Sequence, residues 1–116
     1  MIIAELLQAL KRANPDADVR FDFCGCSPTT VDSSRGDYSI PALGWHDGQA
    51  PTVSALVREL DMATDGREYT GWKGGEYTYT TKDCICVDNP GKWTSTELLR
   101  VEDKGWQVIL HTQMEG

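Results

Sequence analysis

The sequence predicts one α+β domain, with an antiparallel sheet of about four to six strands and two helices packed on one of its faces. Three observations predict it. Two segments carry apolar residues at helical spacing, several others alternate apolar with polar residues, and the links between them are short, with no repeated strand-helix-strand period. At 116 residues the chain can bury one hydrophobic core and is too short for two, so residues 1–116 read as a single domain.

The first helix is expected over residues 2–13. Ile3, Leu6, Leu7 and Leu10 fall on one face and Glu5, Gln8, Lys11 and Arg12 on the other. Asn14-Pro15-Asp16 stops it, because proline lacks an amide donor and restricts the residue before it. Val19, Phe21 and Phe23 then alternate with Arg20, Asp22 and Cys24, the pattern of a half-buried strand. Gly25 to Gly36 reads as one turn-rich connection, and connections of that length in a compact domain are functional or mobile. Tyr38–Trp45 is a short extended segment whose Pro41 suggests a sheet edge, and His46-Asp47-Gly48 is a turn.

Thr52 caps a second helix with an apolar stripe of Val53, Leu56, Val57 and Leu60, ended by Asp65-Gly66. The remainder reads as strands. Tyr77 and Tyr79 alternate with Thr78 and Thr80, Cys84–Val87 forms a second run, and Asn89-Pro90-Gly91 is a turn. Glu97–Glu102 and Trp106–Thr112 flank Asp103-Lys104-Gly105 as a hairpin.

The 18 acidic residues against 11 basic ones give a formal charge of −7. That balance argues against direct nucleic-acid binding, which draws its affinity from neutralising phosphates, and favours a basic partner surface. No run approaches the roughly 18–20 apolar residues that span a bilayer. The N-terminal segment carries Glu5 early and Lys11-Arg12 late, the reverse of a signal peptide's charge order, so a cytoplasmic protein is expected. The four cysteines form two C-x-C pairs, Cys24/Cys26 and Cys84/Cys86. Residues i and i+2 of a strand have Cα atoms about 6.5–7 Å apart, so neither pair closes readily on itself. Reduced thiols are the expectation in a cytosol, with cross-pair bonding or a four-thiolate zinc site as the alternatives.

Catalytic patterns are missing. The two histidines, His46 and His111, sit in a turn and in the last strand, and Asp22 and Glu76 suit the wet side of a sheet. No catalytic residue, metal ligand or cofactor is nominated, and a binding protein is expected rather than an enzyme. Two clusters suit an anionic guest instead. Ser33, Ser34, Arg35, Gly36 and Tyr38 place hydroxyls, a guanidinium and a glycine together, so that backbone amides and a bidentate fork can hold an anion. Trp72, Lys73, Gly74, Gly75 and Tyr77 combine stacking surfaces, a point charge and close backbone approach. Trp45 joins either this surface or the core. The plain alternatives are a polar turn whose arginine pairs a neighbouring acid, and a tight turn whose Trp72 closes the core.

These segments also carry a likeness. Phe21-Asp22-Phe23-Cys24-Gly25, Ser34-Arg35-Gly36-Asp37-Tyr38 with Pro41-Ala42-Leu43-Gly44, and Tyr69-Thr70-Gly71-Trp72-Lys73-Gly74-Gly75-Glu76-Tyr77 stand in a shared order. Over Asn14 to Thr112 the chain resembles a family of phage and prophage accessory proteins. Its most specific parts are the Arg-Gly-x-Tyr and Gly-Trp-Lys-Gly-Gly-Glu-Tyr motifs. The family pattern often has tryptophan directly before Arg-Gly, where this chain has Ser34. The resemblance implies a setting and no mechanism: a phage protein in a bacterial host cytosol, where small non-enzymatic proteins act against host defences. Two functions follow as expectations. One is a homo-oligomeric sponge for a nucleotide-type immune signal, and the other is an acidic inhibitor that blocks a host nucleic-acid-binding complex by protein contact.

Overall fold

A computed structural model describes residues 1–23, 25–33, 41–65, 69–70, 76–88 and 95–113, with the backbone alone at 32–33, 69–70, 76–77 and 95. In chain order the elements are α1 (Ile3–Arg12), β1 (Asp18–Phe21), β2 (Ser27–Ser33), β3 (Pro41–His46), α2 (Val53–Thr64), β4 (Tyr69–Thr70), β5 (Glu76–Tyr77), β6 (Cys86–Asp88), β7 (Ser95–Asp103) and β8 (Gln107–Thr112). Six strands form one sheet in the order β1-β8-β7-β6-β3-β2, and β4 and β5 form a separate two-stranded ribbon. The α+β class with two helices holds.

Helix boundaries follow local chemistry. The Glu5 carboxylate accepts the Ile2 amide at 3.0 Å, which satisfies one orphan donor at the start of α1. Past its end, Asn14 Oδ1 accepts the Asp16 amide at 2.9 Å and turns the chain toward β1. Thr52 Oγ1 accepts the Ala55 amide at 3.1 Å and caps α2 as expected. The helices bury Ile3, Leu6, Leu7 and Leu10 from α1 and Val53, Leu56, Leu60 and Ala63 from α2. These meet Val19, Phe21, Val31, Leu43, Val87, Leu98, Val108 and Leu110 of the sheet in one continuous core.

The sheet is mixed rather than wholly antiparallel. β1 runs parallel to β8, and β3 runs parallel to β6. A parallel neighbour needs a long crossover, and α2 with the β4-β5 ribbon supplies one between β3 and β6. Periodicity reports which face a strand buries and nothing about the direction of its neighbour.

Two local expectations change. The stretch from Gly25 to Gly36 contains edge strand β2, which carries Pro28 and a bulge between Pro28 and Val31. An edge strand with Val31 as its core residue has no apolar alternation to betray it. Conversely, β3 lies inside the sheet, between β6 and β2, with Pro41 at its first residue, where a missing donor is tolerated. Gly44 permits the close approach of β2, because a Cβ there would run into the Thr29 hydroxyl.

Each outer edge is met in part by the chain itself. The Val19 and Phe21 amides of β1 donate to the carbonyls of Pro51 and Cys26, each at 2.9 Å. On β2, the Val31 amide donates to Glu59 Oε1 of α2 at 3.4 Å.

Two substitutions separate packing from polarity. Leu10, fully buried, should cost about 2–5 kcal/mol as Leu10→Ala in urea denaturation. Among the described residues Ser27 Oγ is buried with no hydrogen-bond partner, so Ser27→Ala should be neutral or stabilising by up to about 1 kcal/mol.

Candidate functional site

The two cationic segments nominated from sequence are both hairpin connections. Residues 34–40, with Arg35, Gly36 and Tyr38, join β2 to β3, and the flanking Ser33 and Pro41 pair directly. Residues 71–75, with Trp72, Lys73, Gly74 and Gly75, join β4 to β5, and the flanking Thr70 and Glu76 pair directly. Arg35, Gly36, Tyr38, Trp72, Lys73, Gly74 and Gly75 themselves lie outside the described residues. Ser33 ends β2, and Tyr77 stands opposite Tyr69 in the ribbon. Trp45 is half-buried against the core, its ring edge-on to Phe23 with centroids 6.2 Å apart.

The best-defined polar cluster of the described residues lies elsewhere, across β1, β8 and β7. Asp22 directly follows β1, and its amide donates to the Leu110 carbonyl at 3.2 Å. Its carboxylate accepts the Thr112 amide at 3.0 Å and the Thr112 hydroxyl at 2.8 Å. Thr112 is fully buried, so those acceptors remove a desolvation cost that would otherwise stand. His111 is placed between two acids, with Nδ1 at 3.7 Å from Asp22 Oδ2 and Nε2 at 2.8 Å from Glu102 Oε1. The hydrogen bond from His111 holds the Glu102 carboxyl below its usual range, against an opposing desolvation, with the charges of Lys104 and Arg100 adding to the lowering.

No protein-family model, curated protein or solved structure matches this chain. The chemistry of the residues themselves therefore decides what each cluster can do. A histidine whose Nε2 is engaged by Glu102 and whose Nδ1 faces Asp22 is spoken for on both sides. The cluster acts as a polar clamp that fastens the first strand to the last hairpin.

Sequence reading placed Asp22 and His111 on strands but did not join them. Part of the link was available, since a hairpin around Lys104-Gly105 puts Glu102 and His111 on one face. The Asp22 contacts depend on the β1–β8 pairing, which no local pattern announces.

The cysteines divide unequally. Cys26 is disulfide-bonded, with its partner outside the described residues, whereas Cys84 and Cys86 are free. The expectation of four reduced thiols fails at Cys26, and a sulfur in a disulfide cannot serve a four-thiolate zinc site. The Cys86 thiol is pushed up by burial and by the neighbouring Cys84, so its thiolate is disfavoured. Among the described residues, no three His, Cys, Asp or Glu side chains gather closely enough to hold a metal ion. His46 lines an open hollow between β2, β3 and the first turns of α2, with Thr29 and Glu59 beside it.

The clamp makes two predictions. Asp22→Ala strands the buried Thr112 donors and should cost about 2–3 kcal/mol in urea denaturation at neutral pH. A depressed carboxylate stabilises the fold above its ordinary pKa and ceases to do so as pH falls through the lowered value. Stability should therefore decline from about pH 4.5 downward, and Glu102→Gln should flatten that decline.

Proposed function

We propose that this is a phage-encoded, non-enzymatic counter-defence protein that binds and sequesters a small nucleotide-type immune signal in the host cytoplasm. The segments carrying Arg35 and Lys73 would form the site. The observation supporting this reading is that both are hairpin connections with paired strand ends at their bases, Ser33 with Pro41 and Thr70 with Glu76. Connections anchored in this way carry binding residues on a rigid scaffold. Arginine provides a fork for a phosphate, lysine a point charge, Trp72 and Tyr77 stacking surfaces, and Gly74-Gly75 close backbone approach.

Nanomolar capture requires about 12 kcal/mol. A site shared between copies of a homo-oligomer supplies that more readily than one shallow turn. In the host cytoplasm the Cys26 disulfide would be a departure from the reduced thiols usual there. Thiol titration of protein purified from the bacterial cytosol checks that part of the reading.

A second reading is an acidic inhibitor of the anti-CRISPR or anti-restriction type. The exposed Trp106 beside Asp18 and Asp103 favours it. Such docking should weaken steeply with salt, since surface charge is screened over about 10 Å at 0.1 M.

Calorimetry with apo protein against cyclic dinucleotides and ADP-ribose-type nucleotides tests the first reading. Binding of one of them is expected, with Arg35→Ala and Lys73→Ala each weakening it about tenfold, or 1.4 kcal/mol, at unchanged melting temperature. Absence of heat with every nucleotide in the panel would refute it.

A further inference from the structure

Trp106 is 75% exposed, well beyond the other exposed large apolar side chains of the described residues, Leu99 and Met62. A tryptophan left in water forgoes a large burial gain, and tryptophan dominates the energetic centres of protein interfaces. It stands at the tip of the β7–β8 hairpin, and that tip is tightly fixed. The Lys104 amide donates to the Gln107 carbonyl at 2.8 Å. Gly105 has a φ of 88°, which a side chain would resist, and its amide donates to Asp103 Oδ1 at 2.9 Å. The Trp106 carbonyl accepts the Asp18 amide at 3.1 Å, and Asp18 in turn bridges to Thr52, the cap of α2. The backbone under the indole is thus tied to β7, β8, β1 and the start of α2. Binding through this residue would pay little ordering entropy.

The charges around it select the partner. Asp18, opposite Gln107 in the register, and Asp103 flank the tip, and Asp16 is two residues upstream of Asp18. Lys104 is the basic residue of the turn. We propose that the Trp106 tip is a docking finger for a protein whose apolar pocket is rimmed by lysine or arginine. A second copy of this chain fits poorly, because each carries a formal −7 and would present the same carboxylates. Anionic membrane surfaces repel the same groups. The proposal gives the second functional reading a surface, and the small-molecule reading does not bear on it.

The test uses the full chain as bait, wild type and Trp106→Ala, in a bacterial host lysate at low salt, followed by purification of whatever only the wild type retains. Rebinding of that purified protein is then measured against both baits. The expected result is a loss of at least tenfold in affinity for Trp106→Ala, a partial return with Trp106→Phe, and a smaller loss with a shallower salt dependence for Asp18→Asn. Both baits should share one urea midpoint, since the indole is exposed. Equal retention by the two baits overturns the proposal, whether or not a partner docks by another face. So does self-association in sedimentation that Trp106→Ala abolishes, or binding to phosphatidylglycerol vesicles that depends on Trp106.

Discussion

The parallel pairing of β1 with β8 is the contact on which the rest of this structure depends. It sets Asp18 opposite Gln107 and Phe21 opposite Leu110, joining the first strand of the chain to the last. Through it α1 is brought onto the same core as the C-terminal hairpin, and Asp22 reaches Thr112 across a separation of 90 residues. The same pairing fixes the Trp106 carbonyl and, through Asp18 and Thr52, the start of α2. Contacts so distant in sequence must overcome the entropy of closing a long loop before they return any stability. The Asp22 carboxylate, with hydrogen bonds to both the amide and the hydroxyl of a buried threonine, is how this chain secures that closure.

The distribution of chemistry over the fold follows from that frame. The interior of the polar cluster is occupied, with His111 held by its own acids, so the β1–β8–β7 end of the sheet uses these polar groups on itself. Trp106, the most exposed large apolar side chain of the described residues, stands instead at the β7–β8 tip. A strand pair is a stiff support, and a turn at its end can vary in side chain without disturbing the core.

Local rules served the helices well. The stripes of Ile3, Leu6 and Leu10 and of Val53, Leu56 and Leu60, together with the Thr52 cap, are short-range signals, and each appears where the residues place it. The Asp103-Lys104-Gly105 hairpin is equally local. Strand β2 was hidden because its core contribution is Val31, and the rest of it resembles loop composition. Pro41 misled for a related reason: a proline at a strand's first residue and one on a sheet edge look alike in sequence. Strand order and direction were out of reach, since they are decided by crossovers and by which apolar faces meet. The Cys26 disulfide escaped too, because C-x-C spacing alone does not say which sulfurs meet.

Glu59 carries a consequence beyond its own hydrogen bond. Its carboxylate sits on the outermost strand and takes up the Val31 amide, while Pro51 and Cys26 do the same at the opposite border. Main-chain groups left bare along such margins recruit strands from neighbouring molecules, and the outcome is fibrous aggregate. At these points the margins of the six-stranded sheet are met from within the chain. A strand arriving from another molecule would find those donors already taken.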